Sequence, residues 1–531
     1  MRILVHQVTV PLDYCDADVV DSVARTLRCR PELIRNIDVG RRSLDARPRN
    51  PEPRYVLSVS ADIDPVVLPS RFKPNEIQVL DQEDVIASQP NANFAGHDRP
   101  LVVGAGPAGL LAAHVLAEAG ARPILVERGD GADVRIGKVA DFWQCGTLDP
   151  KSNVLFGEGG AGLFSDGKLT ARTKDHRRFR KFMELLISCG APEDILVDAA
   201  PHLGSDVLLK IVPEIRAGIL ANGGEVRFGA RLERLILKDE RVRAAVVNEE
   251  EIACSQCILA VGHSARDVYA MLAETGVSME PKSFAVGVRL ELPQPAVDRA
   301  QYGRFAGDPR LEAATFRLTR KAADGNRACY SFCMCPGGRV IACASEPGHV
   351  TTNGMSNADR ALQRGNAAFL VPVRADDFPA GPVPALAGIS LQRELESKAY
   401  AAGGGDYVIP AIRLNDFLKE DAASALPDGL SCPRAVPADL EGIFPDFVTR
   451  TLRASIPRML RELNGVSVDS AVLFAAEVRS SSPVRISRNA SGCSVNVQGL
   501  YPAGEGSGYA GGIVSSAIDG IKAAEACCES C

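Results

Sequence analysis

Aromatic residues are scarce in this 531-residue chain: they make up 5%, and Trp143 is the sole tryptophan. That disfavours a surface built to stack the bases of single-stranded nucleic acid. Charge of one sign is lacking too. Sixty lysines and arginines stand against 66 acidic residues, a net charge of -6, which supplies no basic field for nucleic acid or an anionic membrane. No apolar run reaches the roughly 20 residues that cross a bilayer; the run from Leu101 is broken by His114 and Glu118. No basic-then-apolar leader heads the sequence, and the fifteen cysteines form no framework. A cytoplasmic protein with reduced thiols is expected, free of nucleic acid and membrane, with a small molecule as its partner. No metal-ligand spacing is evident, and nothing in the sequence fixes an oligomeric state. Glycine, in contrast, is plentiful, with 48 residues concentrated where backbone must approach something closely.

The length suits two to four domains. Residues 1–90 read as a small α/β unit: a strand over 2–12, a helix over 18–27, and a strand over 55–63, with a turn broken by Pro48, Pro51 and Pro53. Arg35, Arg41, Arg42, Arg47 and Arg49 form either a phosphate patch or a solvated face beside matching acids. A polar linker is expected over 88–93. A nucleotide-binding domain follows in two parts, 98–274 and 466–531, around a β-rich cap at 275–465 that reads as many short strands.

The strongest motif is Gly104-Ala105-Gly106-Pro107-Ala108-Gly109. It lies between a buried strand, 101–103, and a helix closed by Gly120, and Glu127 ends the next strand 18 positions past Gly109. Gly104 permits the tight turn, Gly106 lets backbone approach a pyrophosphate, and Gly109 lets helix and strand pack closely. The helix's free N–H groups face the phosphate charge, and Glu127 is placed to accept hydrogen bonds from a ribose. A dinucleotide site follows. Gly157 to Gly162 spells a second such motif without its βαβ setting; with Ser165, Asp166 and Lys168 close by, it suits a loop backing a flat ring and its phosphates. Near the end, Gly504-Glu505-Gly506-Ser507-Gly508-Tyr509-Ala510-Gly511-Gly512-Ile513 leads into a helix over 514–526 whose N–H groups are left bare.

Together with Leu259 to Asp267, Tyr330 to Gly338 and Asn353 to Ser356, these segments resemble a family of NAD(FAD)-utilising, FAD-dependent dehydrogenases that carry a small N-terminal α/β domain. The resemblance spans nearly the whole chain. It implies a glutathione-reductase-like Rossmann FAD domain and an α/β fold class with an α+β cap. It further implies FAD contacts at Gly104, Gly106, Gly109, Glu127, Gly262, Gly504, Glu505, Gly512 and Ile513. The candidate cofactor set extends to Pro107, Ala108, Arg128, Lys138, Gly159, Gly160, Ala161, Gly162, Ser165, Asp166 and Leu232. In such flavoproteins the closing helix points at the flavin edge that carries negative charge on reduction. The chain departs from the family pattern at Val478 and Ser480, where threonines are usual, and at Leu292, where a histidine is usual.

His263 follows a strand that delivers its end near the flavin, and imidazole suits proton exchange. Cys333 and Cys335 would share one face of a strand, as a thiol pair facing substrate or as small core residues. Arg479 and Arg485, beside Ser480 to Ser482, could hold a substrate carboxylate or form ordinary ion pairs. Cys254 and Cys257 spell a redox pair but enter a strand, which favours packing. Cys527, Cys528 and Cys531 could form a mobile dithiol tail. The expected activity is FAD-dependent hydride transfer, dehydrogenation or reduction, on a small organic substrate, with NAD(P)H at most a transient donor because a single dinucleotide motif is present. The alternatives are a flavin monooxygenase, although Ala260-Val261-Gly262 stands where an Asp-Gly motif is common, and an FAD-containing RNA-associated protein using residues 1–90.

Overall fold

The structure is a computed structural model that describes residues 1–47, 49–69, 71–73, 75–80, 98–170, 173–321 and 327–530. The expected linker at 88–93, Pro48 and Cys531 lie outside the described residues.

The N-terminal unit is an antiparallel sheet of strands Ile34–Asp45, Arg54–Ile63, Arg2–Pro11 and Ile77–Leu80, in that order, with helix Asp16–Leu27 on one face. Alternating Ile3, Val5, Val8 and Val10 meet Val19, Val23 and Leu27 of the helix in a separate core, the half-buried period expected of such strands. Strand Ile34–Asp45 was not anticipated. It is a charged, largely exposed edge strand with no clean apolar alternation, so periodicity gives it no signal. Its arginines are partly committed. Arg42 bonds Asp198 at 2.7 Å and Asp194 at 3.1 Å, which ties the unit to the nucleotide domain, and Arg47 bonds Asp45 at 2.5 Å.

The second unit is a five-stranded parallel sheet ordered Leu500–Pro502, Cys257–Leu259, Leu101–Val103, Ile124–Val126, Glu225–Arg227. Four of these strands are wholly buried, as parallel strands covered on both faces must be. Helix Pro107–Glu118 is buried from Ala108 to Ala117 because helix Ile513–Glu529 lies against it. The two cross so closely that a Cβ on Gly520 would collide with the Ala108 carbonyl. A small antiparallel sheet, Leu232–Lys238, Arg241–Val247 and Glu250–Ala253, flanks this layer.

The cap is built on a seven-stranded sheet ordered Thr319–Lys321, Ala328–Cys335, Arg364–Val373, Phe284–Pro293, Val472–Glu477, Ile409–Arg413, Ala435–Pro437. Two central strands run ten residues each, longer than the short strands expected. Helices Ala387–Ala402 and Asp446–Leu460 also belong to the cap. Val472–Glu477 pairs with cap strands on both sides, so the cap sheet continues beyond residue 465. Among the described residues no helix is long and apolar enough to cross a membrane.

The structure corrects the tail reading of Cys527 and Cys528 and agrees with the packing reading of Cys254 and Cys257. Cys527 and Cys528 are not on a mobile tail: helix Ile513–Glu529 carries both into the core. Cys254 and Cys257 are buried, and burial pushes the Cys254 thiol up to about 12, which makes both poor nucleophiles.

Candidate active site

A cavity of about 700 Å³ opens where the two nucleotide segments, the second glycine loop and the cap sheet converge. That volume suits a large ligand. At one end the chain turns sharply at Gly104, whose φ of +99° only glycine adopts readily. A Cβ on Gly109 would collide with the Gly104 carbonyl oxygen, so the turn and the helix are in direct backbone contact. The N-cap residue of that helix, Gly106, makes no side-chain cap. Gly512, the N-cap of the closing helix, makes none either. Two helix N-termini, about 400 residues apart in the chain, thus present bare N–H groups and positive dipole ends to one cavity.

Glu127 lines the cavity, yet its carboxylate is also built into the scaffold. It accepts N–H bonds from Ala105 (2.7 Å), Gly129 (2.9 Å) and Gly157 (3.0 Å), joining the turn to the second glycine loop. Arg135, fully buried, donates to the carbonyls of Asn153 (2.8 Å), Val154 (2.9 Å) and Glu158 (2.6 Å) and fixes that loop. The loop itself is a 3-10 turn, Gly160–Phe164, and no second Rossmann turn. Gly160, Ala161, Gly162, Ser165 and Asp166 line the cavity. Asp166 is fully engaged, by Arg360 at 2.6 Å, Lys168 at 2.9 Å and Ser356, so it positions its neighbours.

Pro107, Ala108, Arg128, Leu232, Gly262, Gly504, Glu505 and Ile513 also line the cavity. Arg128 stacks over the Phe156 ring at 4.4 Å and bonds Asp267. Three candidates are not brought to it. Lys138 is held between Asp130 at 2.6 Å and Asp149 at 2.7 Å. Gly109 packs inside its helix, and Gly159 packs on Leu163 while its N–H donates to the Ala105 carbonyl at 2.8 Å.

Of the catalytic candidates, His263, Cys333 and Arg479 reach the cavity, whereas Cys335 is buried behind it. His263 Nδ1 lies 3.4 Å from Glu505 Oε1, has no hydrogen-bond partner and is buried. Arg479 does not offer a free fork to a carboxylate. Its guanidinium bonds Glu396 twice, at 2.7 and 2.9 Å, and donates to Ser264 and Ser345. Arg485 pairs with Glu280 at 3.0 Å. Cys333 and Cys335 do not share a face either, because a β-bulge interrupts the strand between Phe332 and Cys335 and Cys333 takes φ +42°.

Sequence reading missed Lys282. It lines the same wall with its ammonium 3.4 Å from Ser481 Oγ and from the Ser482 carbonyl, and burial lowers its pKa. A lone lysine in the link between two strands carries no motif. Of the family departures, Leu292 is core, Val478 is buried, and Ser480 lines the cavity while bonding the Ala285 backbone at 2.7 and 3.2 Å. Among the described residues no group of three or more His, Cys, Asp or Glu could hold a metal ion.

Comparison with known proteins gives two family models: an FAD binding domain over residues 99–154, and an FAD-dependent protein, C-terminal domain-like, over residues 283–480. A protein of Clostridium beijerinckii, named only as an uncharacterized protein, is 42% identical over 529 residues, covering 99% of this chain and 98% of its own. Among solved structures, the open conformation of a flavocytochrome c3 fumarate reductase is 14% identical, covering 82% of this chain and 79% of its own, with a TM-score of 0.34. The halogenase PltM in complex with FAD is 12% identical, covering 82% and 70%, with a TM-score of 0.37. Likeness at that level carries no argument about the reaction.

Proposed function

Because the chain belongs to the family of FAD-dependent proteins, we propose that it is an FAD-dependent oxidoreductase passing a hydride between the flavin and a small organic substrate. The observation that carries this reading is the pair of uncapped helix N-termini on one cavity. The residues present fit the cofactor. The Gly104–Gly109 turn would take the pyrophosphate, Glu127 the adenosine ribose, and the N-terminus at Ile513 the flavin edge that gains negative charge. FAD, when bound, supplies the two-electron chemistry.

The chain's own residues supply the rest. His263 holds or releases a proton at Nδ1, the atom left unpartnered beside Glu505. Lys282 offers a cation to an anionic substrate group, a role that Arg479, saturated by Glu396, Ser264 and Ser345, does not fill. Arg479 is a positioning residue that holds the cap against Ser264. Phe332, 46% exposed, lines the cavity and would cover part of it with an apolar ring. We infer NAD(P)H as a visiting donor only.

The test is anaerobic rapid mixing of the holoprotein with NADH or NADPH, followed by reoxidation with organic acceptors in the absence of oxygen. Oxygen-independent reoxidation with one reduced product per flavin is expected. Strict dependence on oxygen, with an oxygen atom found in the product, would replace the reading with a monooxygenase.

A further inference from the structure

The bulge between Phe332 and Cys335 does more than break a strand. Its positive φ turns Cys333 toward the cavity, while Cys335 stays buried directly behind it. The Cys335 thiol donates to the Cys333 carbonyl oxygen at 3.5 Å, which folds the second thiol back onto the residue that carries the first. Two further groups clamp the bulge. Lys168 donates to the Met334 carbonyl, and Arg289, itself fully buried and paired with Glu477 at 2.8 Å, donates to the Cys333 carbonyl at 3.3 Å. One thiol opens on the cofactor cavity, a second two residues on bonds back to its carbonyl, and a lysine ammonium and a buried guanidinium hold the bulge between them: a purely packing role requires none of this.

We propose that Cys333 and Cys335 form a thiol–disulfide couple in the cavity wall, with Cys333 as attacking thiolate and Cys335 as resolving thiol, working on a small disulfide substrate. The proposal rests on the reading that the cavity holds FAD. In the first step the Cys333 thiolate attacks one sulfur of the substrate; a mixed disulfide forms and one thiol leaves. Cys335 then attacks the Cys333 sulfur, the second substrate thiol leaves, and an intramolecular disulfide remains. The disulfide would be reopened by two electrons that FAD, when bound and reduced, would supply, so the sum would be one substrate disulfide and one FADH2 converted to two thiols and FAD, with both protons carried on the thiols.

The electrostatics agree with these roles. Hydrogen bonding from Cys335 and then the charges of Lys168 and Arg289 hold Cys333 below the ordinary thiol range, against burial and Glu477. The same contact, with burial, pushes Cys335 well above it. Burial works against the Lys168 charge, yet Cys333, Cys335 and Asp166 outweigh it and raise that pKa. A low-pKa attacker beside a high-pKa resolver is the polarity that exchange needs.

The holoprotein is treated with diamide, denatured, blocked with N-ethylmaleimide and mapped by mass spectrometry. The expected result is a 333–335 peptide lighter by two hydrogens that takes up no label, and its absence in Cys335→Ser. Anaerobic dithionite titration of oxidised wild type should consume twice the electrons per flavin that Cys335→Ser consumes. Iodoacetamide labelling of Cys333 should have a pH midpoint below the free-thiol value of about 8.5, rising in Lys168→Met. Two freely labelled thiols after diamide, with equal dithionite uptake in both proteins, would overturn the couple while leaving a yellow FAD protein intact. A disulfide that forms in a protein unable to bind FAD would overturn the electron exchange and the oxidoreductase reading together.

Discussion

Glu396 has no exposed surface, and its carboxylate accepts four charged hydrogen bonds: from Arg266 at 2.7 and 3.0 Å and from Arg479 at 2.7 and 2.9 Å. It sits on cap helix Ala387–Ala402. Arg266 opens the helix after His263, and Arg479 follows the last cap strand, so the cluster rivets cap to nucleotide domain. Burial opposes the Glu396 charge, but Arg479 and Arg266 overcome it and hold the carboxyl at about 2 instead of its ordinary 4.5. At about 1.4 kcal/mol per tenfold, that preference is worth about 3 kcal/mol. Removing one partner of a buried ionic cluster costs about 3–5 kcal/mol by a separate route. Glu396→Ala should therefore destabilise the protein by about 3 kcal/mol at pH 7, read by urea titration with far-UV circular dichroism and flavin fluorescence. The sign with pH is fixed: a depressed carboxyl contributes its stability above 4.5 and loses it as pH falls through about 2. The gap between wild type and Glu396→Ala should hold from pH 6 to 8 and shrink in acid. A gap under about 1 kcal/mol at pH 7, or one that widens in acid, refutes the reasoning.

Gly109→Val drives a side chain into the Gly104 carbonyl and should weaken FAD binding at least tenfold, measured by flavin fluorescence quenching. His263→Ala should keep FAD and lose about 100-fold or more in turnover; unchanged turnover removes His263 from proton transfer. Lys282→Met should raise KM for an anionic substrate with little change in kcat, and a neutral analogue should be indifferent to it.

The nucleotide segments were legible because backbone geometry itself dictates them: a turn with φ near +99° and a Cβ-free contact at Gly109 leave a glycine signature no side chain can mimic. The closing helix was legible for the same reason. What escaped reading depends on tertiary partners. Arg479 looks available in sequence because Glu396, Ser264 and Ser345 come from three distant segments. Lys138 meets Asp130 and Asp149, which flank it, rather than a ligand. The spacing of Cys333 and Cys335 was visible, but alternation put both on one face, and only the bulge and its positive φ separate them. Strand Ile34–Asp45 was missed because an edge strand bearing charges has no apolar rhythm.

The central claim is that one FAD is gripped at once by the Gly104–Gly109 turn and by the N-terminus at Ile513. Hydrogen–deuterium exchange of the protein with and without FAD tests it most directly. Slowed exchange of the amides at 104–110 and at 511–515, rising together with a single FAD bound per chain, is predicted. Protection confined to one of the two segments, or no change on adding FAD, contradicts it.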